Sequence, residues 1–476
     1  MRDSMWPLKK NYKHMKFKYQ GLLSGLFGWM ILLGNFSCPV WGQDTNQMEP
    51  QMYVGVSTID ITPESPIRLA GYGARDKNPS EGILHRLNAK SLAFGRDDQG
   101  PSILITVDLV GIPAIITKNV TERIEEKTGI AASNLVICAS HTHGGPEVGN
   151  LLNILQYRGA SFSDSLLRLD ELLEISRYTD RLTDQLVEVA LASLEERAPA
   201  LVSWGQGSMG FAKNRRTAGG PVDQSFPLMK ITDPSGKLKA VLVNYACHGT
   251  TLEGSVNQIH GDWMGEAQLM IESNHPGTVA MVAIGCGADA NPHPRGKMEH
   301  MRMHAQEVAK NVDQLLSSKL QPITQPPVGK IKWIKLPFNH IPSVSELIVQ
   351  TEDNTVMGYY ARLALDRIAR GQEIPRELSY PVQTWTFGNE MAMVNLAGEV
   401  VVDYSLRLKK EIGAEKLWIN AYANDVPCYI ASCRVIREGG YEAESSMYYY
   451  DKPSPFVEEV EDLIIGTVHE LLQTSF

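Results

Sequence analysis

Apolar runs alternate with amphipathic segments along most of this chain. Residues 102–110 and 134–140 are continuous apolar runs rich in β-branched side chains, a pattern typical of strands that are buried on both faces. Residues 178–197 instead carry apolar side chains at helical spacing and predict an amphipathic helix. Strand-like and helical segments that alternate in this way indicate a mixed α/β fold.

Turn residues divide the remainder of the chain into further elements. Hairpins are predicted at 228–245, around the turn residues 233–236, and at 382–396. Further strands are predicted at 52–61, 278–284 and 416–422, and further helices at 116–129, 298–316, 399–412 and 455–472. No internal repeat or long linker interrupts this pattern. We therefore predict one large domain of mixed β-sheets flanked by helices, in which 340–380 form an insertion or cap with a helix near 355–371.

The first 42 residues are predicted to be a signal peptide. Six basic side chains precede a charge-free apolar run from Gly21 to Ser37, and cleavage is expected after Gly42. The apolar run is short for a retained membrane anchor. Lipidation at Cys38 is a second alternative, which Asn35 disfavours. We therefore predict an exported protein, periplasmic or secreted, with its domain at 43–476.

Composition and charge exclude several classes of protein. Hydrophobic residues make up 43% and charged residues 21% of the chain, and the mean hydropathy is −0.18. These values are typical of a folded globular protein and argue against a polytopic membrane protein. The net charge of −9 becomes −14 when residues 1–42, with six basic side chains and one acidic one, are removed. Such an acidic protein is not expected to bind nucleic acid.

Polar side chains lie at the ends of several predicted strands, where a rigid scaffold can fix them. His141 and His143 follow one apolar run, and His248 ends another. Two histidines at i and i+2 on extended chain point the same way and could share a metal. Hydrogen-bonded loop histidines are the alternative interpretation for the pair, and a structural histidine is the alternative for His248.

Other candidate residues also have a structural interpretation. Asp262 opens a helix and could cap it, and Glu399 could interact with a helix dipole. Tyr429 and Tyr441 could be packing residues, and Asn291 lies in a glycine-rich turn. Together the candidates offer the nitrogen and oxygen ligands that zinc takes, and zinc can hydrolyse an amide or ester without a protein nucleophile. The motifs G-x-S-x-G and H-E-x-x-H are absent from the sequence.

The order of these motifs resembles the neutral (alkaline, non-lysosomal) ceramidase family. The matching segments are VGVSTIDITP, GYGARD, SILITVDLVGIP, SHTHGGP, KNRR, VNYACHGTT, GCGADANP, LAGEVVVDYSLRL, NDVPCYIAS and GGYE. The resemblance runs from about Tyr53 to the C-terminus. It implies the fold of the ceramidase catalytic domain and a zinc amidase that cleaves the N-acyl bond of ceramide.

The resemblance also implies roles for individual residues. It implies four zinc ligands, which are His141, His248, Glu399 and Tyr429. It implies that His143 lies beside the metal and handles protons, and that Arg215 and Tyr441 contact the substrate near the scissile amide. The implied reaction is attack of zinc-activated water on the carbonyl, with His143 and Tyr441 managing protons and oxyanion charge. Asp262 is our further candidate for substrate binding.

The sequence departs from the family pattern at one position in the glycine-rich turn. Asn291 stands where the family has a serine. An asparagine can donate a hydrogen bond to an oxyanion but cannot act as a nucleophile, which favours the zinc-activated water. The C-terminal β-sandwich domain of full-length ceramidases is not expected in this chain.

These observations predict an exported zinc-dependent hydrolase of ceramide or a related N-acyl lipid. An N-acylated or esterified sugar, a glycoside or a small amide is the alternative substrate, and a non-catalytic binding protein is a third interpretation. Partners are therefore a lipid or other small-molecule substrate, with peripheral membrane contact as an option. A long apolar groove would favour a lipid, to which Leu151, Leu152, Ile154 and Leu155 could contribute unless they belong to an ordinary amphipathic helix.

Overall fold

The computed structural model describes residues 52–473, except for 74, 76, 77, 150 and 153–168. The predicted signal peptide therefore lies outside the described residues. No helix within the described part is both long enough and apolar enough to cross a membrane.

Seventeen strands are found in the described residues. They are β1 (Met52–Asp60), β2 (Asn88–Phe94), β3 (Ser102–Val107), β4 (Leu135–Ala139), β5 (Ala198–Ser208), β6 (Ala212–Asn214), β7 (Ser225–Thr232), β8 (Leu238–Tyr245), β9 (Val279–Ile284), β10 (Ala290–Pro292), β11 (Gln321–Ile323), β12 (Val328–Pro337), β13 (Glu377–Phe387), β14 (Met391–Leu396), β15 (Glu399–Val400), β16 (Leu417–Asn420) and β17 (Tyr429–Ile430).

Ten α-helices are found in the same residues. They are α1 (Ala114–Thr128), α2 (Leu169–Glu195), α3 (Asp262–Asn274), α4 (Met298–Leu316), α5 (Val344–Gln350), α6 (Val356–Ala369), α7 (Val402–Ile412), α8 (Cys433–Glu438), α9 (Ser446–Tyr449) and α10 (Val460–Gln473).

The strands form two large sheets. The first has the order β4-β3-β2-β1-β5-β7-β8-β9, with β11 paired to β5, and the second has the order β12-β13-β14-β16. Three neighbouring pairs in these sheets are parallel, β3 with β4, β8 with β9, and β14 with β16. A parallel pair needs a crossover connection, and here α1, α3 and α7 supply the three crossovers. The remaining neighbours in both sheets are antiparallel.

The two sheets pack face to face, with helices on their outer faces. Alternate residues of β14 belong to different core clusters, since Met391 and Met393 pack between the sheets while Ala392 and Val394 face the other way. Side chains alternate along a strand, so both faces of this strand are buried. The result is a four-layer α/β/β/α arrangement, which confirms the predicted mixed α/β class.

Most predicted elements are observed, with shifted ends. Helix α4 has its predicted bounds, whereas α2 begins nine residues before its predicted start. The predicted cap contains α5 and α6. The sequence pattern did not predict β2 or β5. Strand β2 buries the polar Lys90, whose ammonium binds Glu272 and a backbone carbonyl. Strand β5 contains Pro199 and two glycines, which are unusual in strands.

A candidate metal centre and its cavity

Each of the three parallel units places one candidate side chain at the carboxyl end of a strand. His141 follows β4, His248 follows β8 and Glu399 follows β14. Ligands of α/β proteins commonly bind at this edge of parallel strands, because loops from neighbouring units converge there. His141 has a φ of 56°, so the expectation that it lies on extended chain was wrong. The left-handed backbone nevertheless turns its ring toward that of His143.

Backbone carbonyls orient two of the histidines. Nδ1 of His141 lies 2.6 Å from the carbonyl oxygen of Val110, and Nδ1 of His248 lies 2.9 Å from that of Gly287. Each Nδ1–H can donate to its carbonyl, which directs the unprotonated Nε2 of both rings toward Glu399. Oε2 of Glu399 lies 3.4 Å from Nε2 of His141 and 3.2 Å from Nε2 of His248.

The Glu399 carboxylate is buried and only half satisfied. Its Oε1 accepts a hydrogen bond from the Tyr450 hydroxyl, while Oε2 accepts none from the described residues. Burial raises the pKa of Glu399, but His141 and His248 outweigh this effect and hold the pKa well below its usual range. A buried, ionised oxygen that faces two imidazole nitrogens suits a metal with nitrogen and oxygen ligands.

His143 supplies a third imidazole. Its Nε2 lies 3.2 Å from Nε2 of His141, and the ligand atoms of His141, His143 and His248 all lie within 4.8 Å of one another. Burial lowers the pKa of His143 well below its usual value and that of His248 to about 4. Neutral imidazoles are the form that binds metals, and the proximity of the ligand atoms means that these three buried histidines could hold a metal ion.

Tyr429 lies beside Glu399 because β15 and β17 pair in parallel with these two residues in register. Its hydroxyl accepts a hydrogen bond of 3.0 Å from Nη2 of Arg215. Arg215 also donates to Glu442 at 2.7 Å, and its Nη1 lies 3.4 Å from Nε2 of His248. The structure thus brings Tyr429 and Arg215 to the edge of the cluster. A role for Tyr429 as the fourth ligand stays a prediction.

The cluster opens into a cavity of about 870 Å³. Its lining among the described residues is mainly aromatic and charged: Gly71, Tyr72, Gly73, Val110, His143, Leu152, Arg215, Arg216, Thr250, Asn291, Arg295, Glu399, Tyr429, Glu438, Gly439, Gly440, Tyr441, Glu442, Tyr449 and Tyr450. Val110 and Leu152 are the aliphatic residues of this lining. Leu151 is buried, and Ile154 and Leu155 lie outside the described residues.

The other predicted site residues fall in different places. Tyr441 and Asn291 line the cavity, and Oδ1 of Asn291 accepts a hydrogen bond from the Thr250 hydroxyl at 3.3 Å. Asp262 is fully buried and does not belong to the lining. Its carboxylate accepts backbone N–H groups of Thr251, Leu252 and Trp263 at 2.7–3.1 Å.

Sequence reasoning did not select Tyr72, Tyr422 or Tyr450. The ring of Tyr72 lies 4.7 Å from that of His143, and the ring of Tyr422 stacks on His141 at 4.1 Å. Tyr72 stands in the GYGARD segment, and Tyr450 ends a run of three tyrosines. The GYGARD motif and the run of tyrosines indicate which segments are candidates, but they do not specify the side chain that each ring contacts.

The fold and the buried cluster define a two-sheet α/β protein with a histidine–carboxylate centre that could hold a metal. The family model described as neutral/alkaline non-lysosomal ceramidase, N-terminal, matches residues 52–291. The chain belongs to this family.

Individual relatives are more distant. The chain is 22% identical to neutral ceramidase B of Dictyostelium discoideum over 56% of its own length and 39% of that protein, and 22% identical to neutral ceramidase A over 51% and 36%. It spans about two fifths of the length of these curated relatives. A solved ceramidase complexed with C2 superposes with a TM-score of 0.67 at 15% identity, over 88% of this chain and 74% of that one. Neutral ceramidase from Pseudomonas aeruginosa gives 0.66 at 16% identity, over 90% and 75%.

Proposed function

We propose that this chain is a zinc-dependent hydrolase that cleaves the N-acyl amide bond of ceramide or a related N-acyl lipid. The observation that carries the proposal is that Oε2 of Glu399, a residue of the cavity lining, lies 3.2–3.4 Å from Nε2 of both His141 and His248. Family membership supports the reaction class, and the polar, nitrogen-rich donor set supports zinc.

The protein's own residues suit the hydrolysis of an amide. Zinc held by His141, His248 and Glu399 would polarise a carbonyl and lower the pKa of water at the site. His143 lies beside these ligands and can take up or release a proton through its ring nitrogens. The guanidinium of Arg215 is held by Glu442 and faces the cluster, where it can stabilise negative charge on the amide oxygen.

Tyr441 and Asn291 have separate roles in this proposal. Both line the cavity, where the hydroxyl of Tyr441 can donate to the oxyanion or to the leaving amine. The amide of Asn291 can donate a hydrogen bond but has no nucleophilic oxygen. The proposed reaction therefore depends on activated water and not on an acyl-enzyme intermediate.

The cavity lining favours a second candidate substrate. Two aliphatic side chains, Val110 and Leu152, stand among many tyrosines, arginines and glutamates in the described lining. A long acyl chain gains affinity from apolar surface, at about 25 cal/mol per Å² buried, and the described lining offers this surface through tyrosine rings and only two aliphatic side chains. A more polar N-acylated compound, including an acylated sugar, is therefore the second candidate.

The cellular setting is also part of the proposal. The basic start and apolar run of residues 1–42 support export. An exported protein of net charge −14 would be repelled by anionic lipid surfaces, so we expect at most peripheral contact with a membrane.

Metal analysis and substrate cleavage test the proposal together. The purified protein should contain one zinc per chain and cleave a fluorescent short-chain ceramide in a chelator-sensitive way. His141→Ala should abolish both, whereas His275→Ala, which removes a histidine paired with Asp313 away from the cavity, should change neither. Zinc without ceramide cleavage would shift the substrate to the polar candidates. A protein that binds no metal would contradict the mechanism.

A further inference from the structure

Arg295 is a cation in the cavity lining without an acidic partner. It follows β10 and lines the same cavity as His143 and Glu399. Among the residues that the structure describes, it makes no ion pair, and its Nε is buried without a hydrogen-bond partner. The Glu253 carboxylate lies beside the neighbouring Gly296 but does not pair with Arg295.

The other two arginines of the lining are neutralised. Arg215 and Arg216 both pair with Glu442, and Arg216 also reaches Glu438 at 3.3 Å. A guanidinium that loses water gains most from a carboxylate, which it can bind through two parallel hydrogen bonds. The chain as a whole carries a net charge of −9, so acidic partners are plentiful. Arg295 nevertheless lines the cavity without an acidic partner among the described residues.

The Tyr72 side chain contacts both Arg295 and a histidine of the candidate metal centre. The Arg295 guanidinium interacts with the Tyr72 hydroxyl, and the Tyr72 ring lies 4.7 Å from that of His143. Arg75 approaches the Tyr72 ring at 5.2 Å, and it too makes no ion pair among the described residues. Arg75 and Arg295 therefore both lie beside Tyr72, and neither makes an ion pair within the part of the chain that the structure describes.

Asn291 is a second polar side chain of the cavity lining that contains Arg295. Asn291 precedes Arg295 by four residues, and Oδ1 of Asn291 is engaged by Thr250, so its side-chain amide group is left to donate. The two aliphatic residues of the lining, Val110 and Leu152, can contact an acyl chain. With the scissile carbonyl at Glu399 and an acyl chain against Val110 and Leu152, we place the portion of the substrate beyond the amide nitrogen against Arg295.

We propose that Arg295 and Asn291 bind a carboxylate on the amine portion of the substrate, so that the substrate class is N-acyl amino acids and not uncharged ceramide. This inference rests on the proposed amide hydrolysis at the same centre. It explains how a lining with few aliphatic side chains can suit a member of a family that acts on N-acyl bonds. It also assigns a ligand to the one arginine of the described lining that lacks an acidic partner.

A matched pair of non-hydrolysable probes tests the charge preference. N-(octylsulfonyl)glycine and N-(octylsulfonyl)ethanolamine differ in a carboxylate against a hydroxymethyl group, and both resist hydrolysis. Calorimetric titration of the purified, zinc-loaded protein should give a dissociation constant at least about tenfold lower for the glycine probe, since hydrogen bonds to charged groups are stronger than those between neutral groups. Arg295→Gln should abolish this preference, chiefly by weakening the binding of the glycine probe.

Two further variants distinguish a direct contact between Arg295 and the carboxylate from the general electrostatic field around the cavity. Lys297→Gln removes the same charge two residues away, from a side chain that is 66% exposed, and should keep the preference. Arg295→Lys should keep part of it, because the charge stays while the bidentate geometry is lost. Equal affinities for the two probes, no binding of either, or a preference that survives Arg295→Gln would overturn the proposal.

Hydrolysis of N-octanoylglycine and N-octanoylethanolamine distinguishes this proposal from the proposed function. A binding preference without hydrolysis of either amide, or of ceramide, would refute the function and keep the carboxylate site. Hydrolysis of both amides at the same kcat/KM, with equal probe affinities, would refute the carboxylate site and keep the function.

Discussion

The hydroxyl of Tyr450 donates a hydrogen bond to Oε1 of Glu399 and leaves Oε2 facing the two imidazoles. Both side chains are buried, at 8% and 4% exposure. A carboxylate held through one oxygen cannot rotate freely, so its other oxygen is presented at a fixed position. Partners of this kind that orient a metal ligand contribute to affinity without touching the metal.

Tyr450→Phe is therefore expected to weaken metal binding by about 10- to 100-fold. The ring and its packing stay, and only the donor to Glu399 is lost. Titration against a competing chromophoric chelator measures the change. Tyr448→Phe is the matched control, because Tyr448 packs on Tyr360 and does not line the cavity. Equal metal affinity of the two variants would show that the hydrogen bond does not position Glu399.

Gly71→Ala should displace His143 and impair hydrolysis. A Cβ at Gly71 would lie 2.5 Å from Nδ1 of His143, and the φ of Gly71 is +95°. Gly219 has a φ of +73°, and a Cβ added there would meet nothing within 4 Å, so Gly219→Ala isolates the backbone cost of about 1–2 kcal/mol. We expect Gly71→Ala to lose at least about tenfold in kcat/KM, while Gly219→Ala only lowers the melting temperature. The same activity in both variants would contradict a tight fit around His143.

Asp262→Asn should destabilise the fold more than it affects substrate binding. The carboxylate accepts three backbone N–H groups from the 251–263 segment, and an amide nitrogen cannot accept the one from Leu252. The loss is expected to be about 1–3 kcal/mol of unfolding free energy. Urea unfolding measures it, alongside KM well below the melting temperature. A raised KM with unchanged stability would instead support the predicted substrate-binding role.

The pH dependence of stability should report on Asp425. Burial raises the pKa of Asp425 to about 6 in the folded state, while its Oδ1 accepts the backbone N–H of Ala114 at the start of α1. A raised folded pKa stabilises the protein below the unfolded pKa of about 4, and this contribution is lost as the pH rises through 6. Asp425→Asn keeps the acceptor and removes the titration.

The two proteins should therefore be about equally stable near pH 4, and the variant should be more stable by about 3 kcal/mol above pH 7. Chemical unfolding at pH 4, 5.5 and 7.5 measures the difference. Asp170→Asn, at an exposed position of α2, controls for the loss of one carboxylate. A stability difference for Asp425→Asn that is constant across this range would contradict the prediction.

The placement of candidate site residues at strand ends was predictable, because it depends on local sequence patterns. Apolar runs of five to eight residues followed by His141 and His248 are visible in the sequence, and the connection of parallel strands through helices brings such ends together. Glu399 follows the same rule, although β15 shortens the helix that the sequence predicts there. The number of sheets and their order depend on long-range pairing, which no local pattern encodes.

The contacts that tune the centre were not predictable. Tyr450 and Glu399 are 51 residues apart, and nothing in either segment specifies the other. The left-handed backbone of His141 is set by its surroundings and not by a glycine or asparagine at that position. The contrast between Arg295 and the paired Arg215 and Arg216 likewise depends on contacts with Glu442, more than two hundred residues away from those two arginines.

The centre draws its groups from segments that are far apart in the order of synthesis. His141 and His248 lie within the part of the chain that the family model matches, whereas Glu399 and Tyr450 are made more than a hundred residues later. A nascent chain that has reached β9 therefore holds histidines but no carboxylate to complete the cluster. Assembly of the whole cluster requires β15 and the tyrosine that follows α9. Under the proposed function, a product terminated before Glu399 would therefore lack one of the proposed metal ligands.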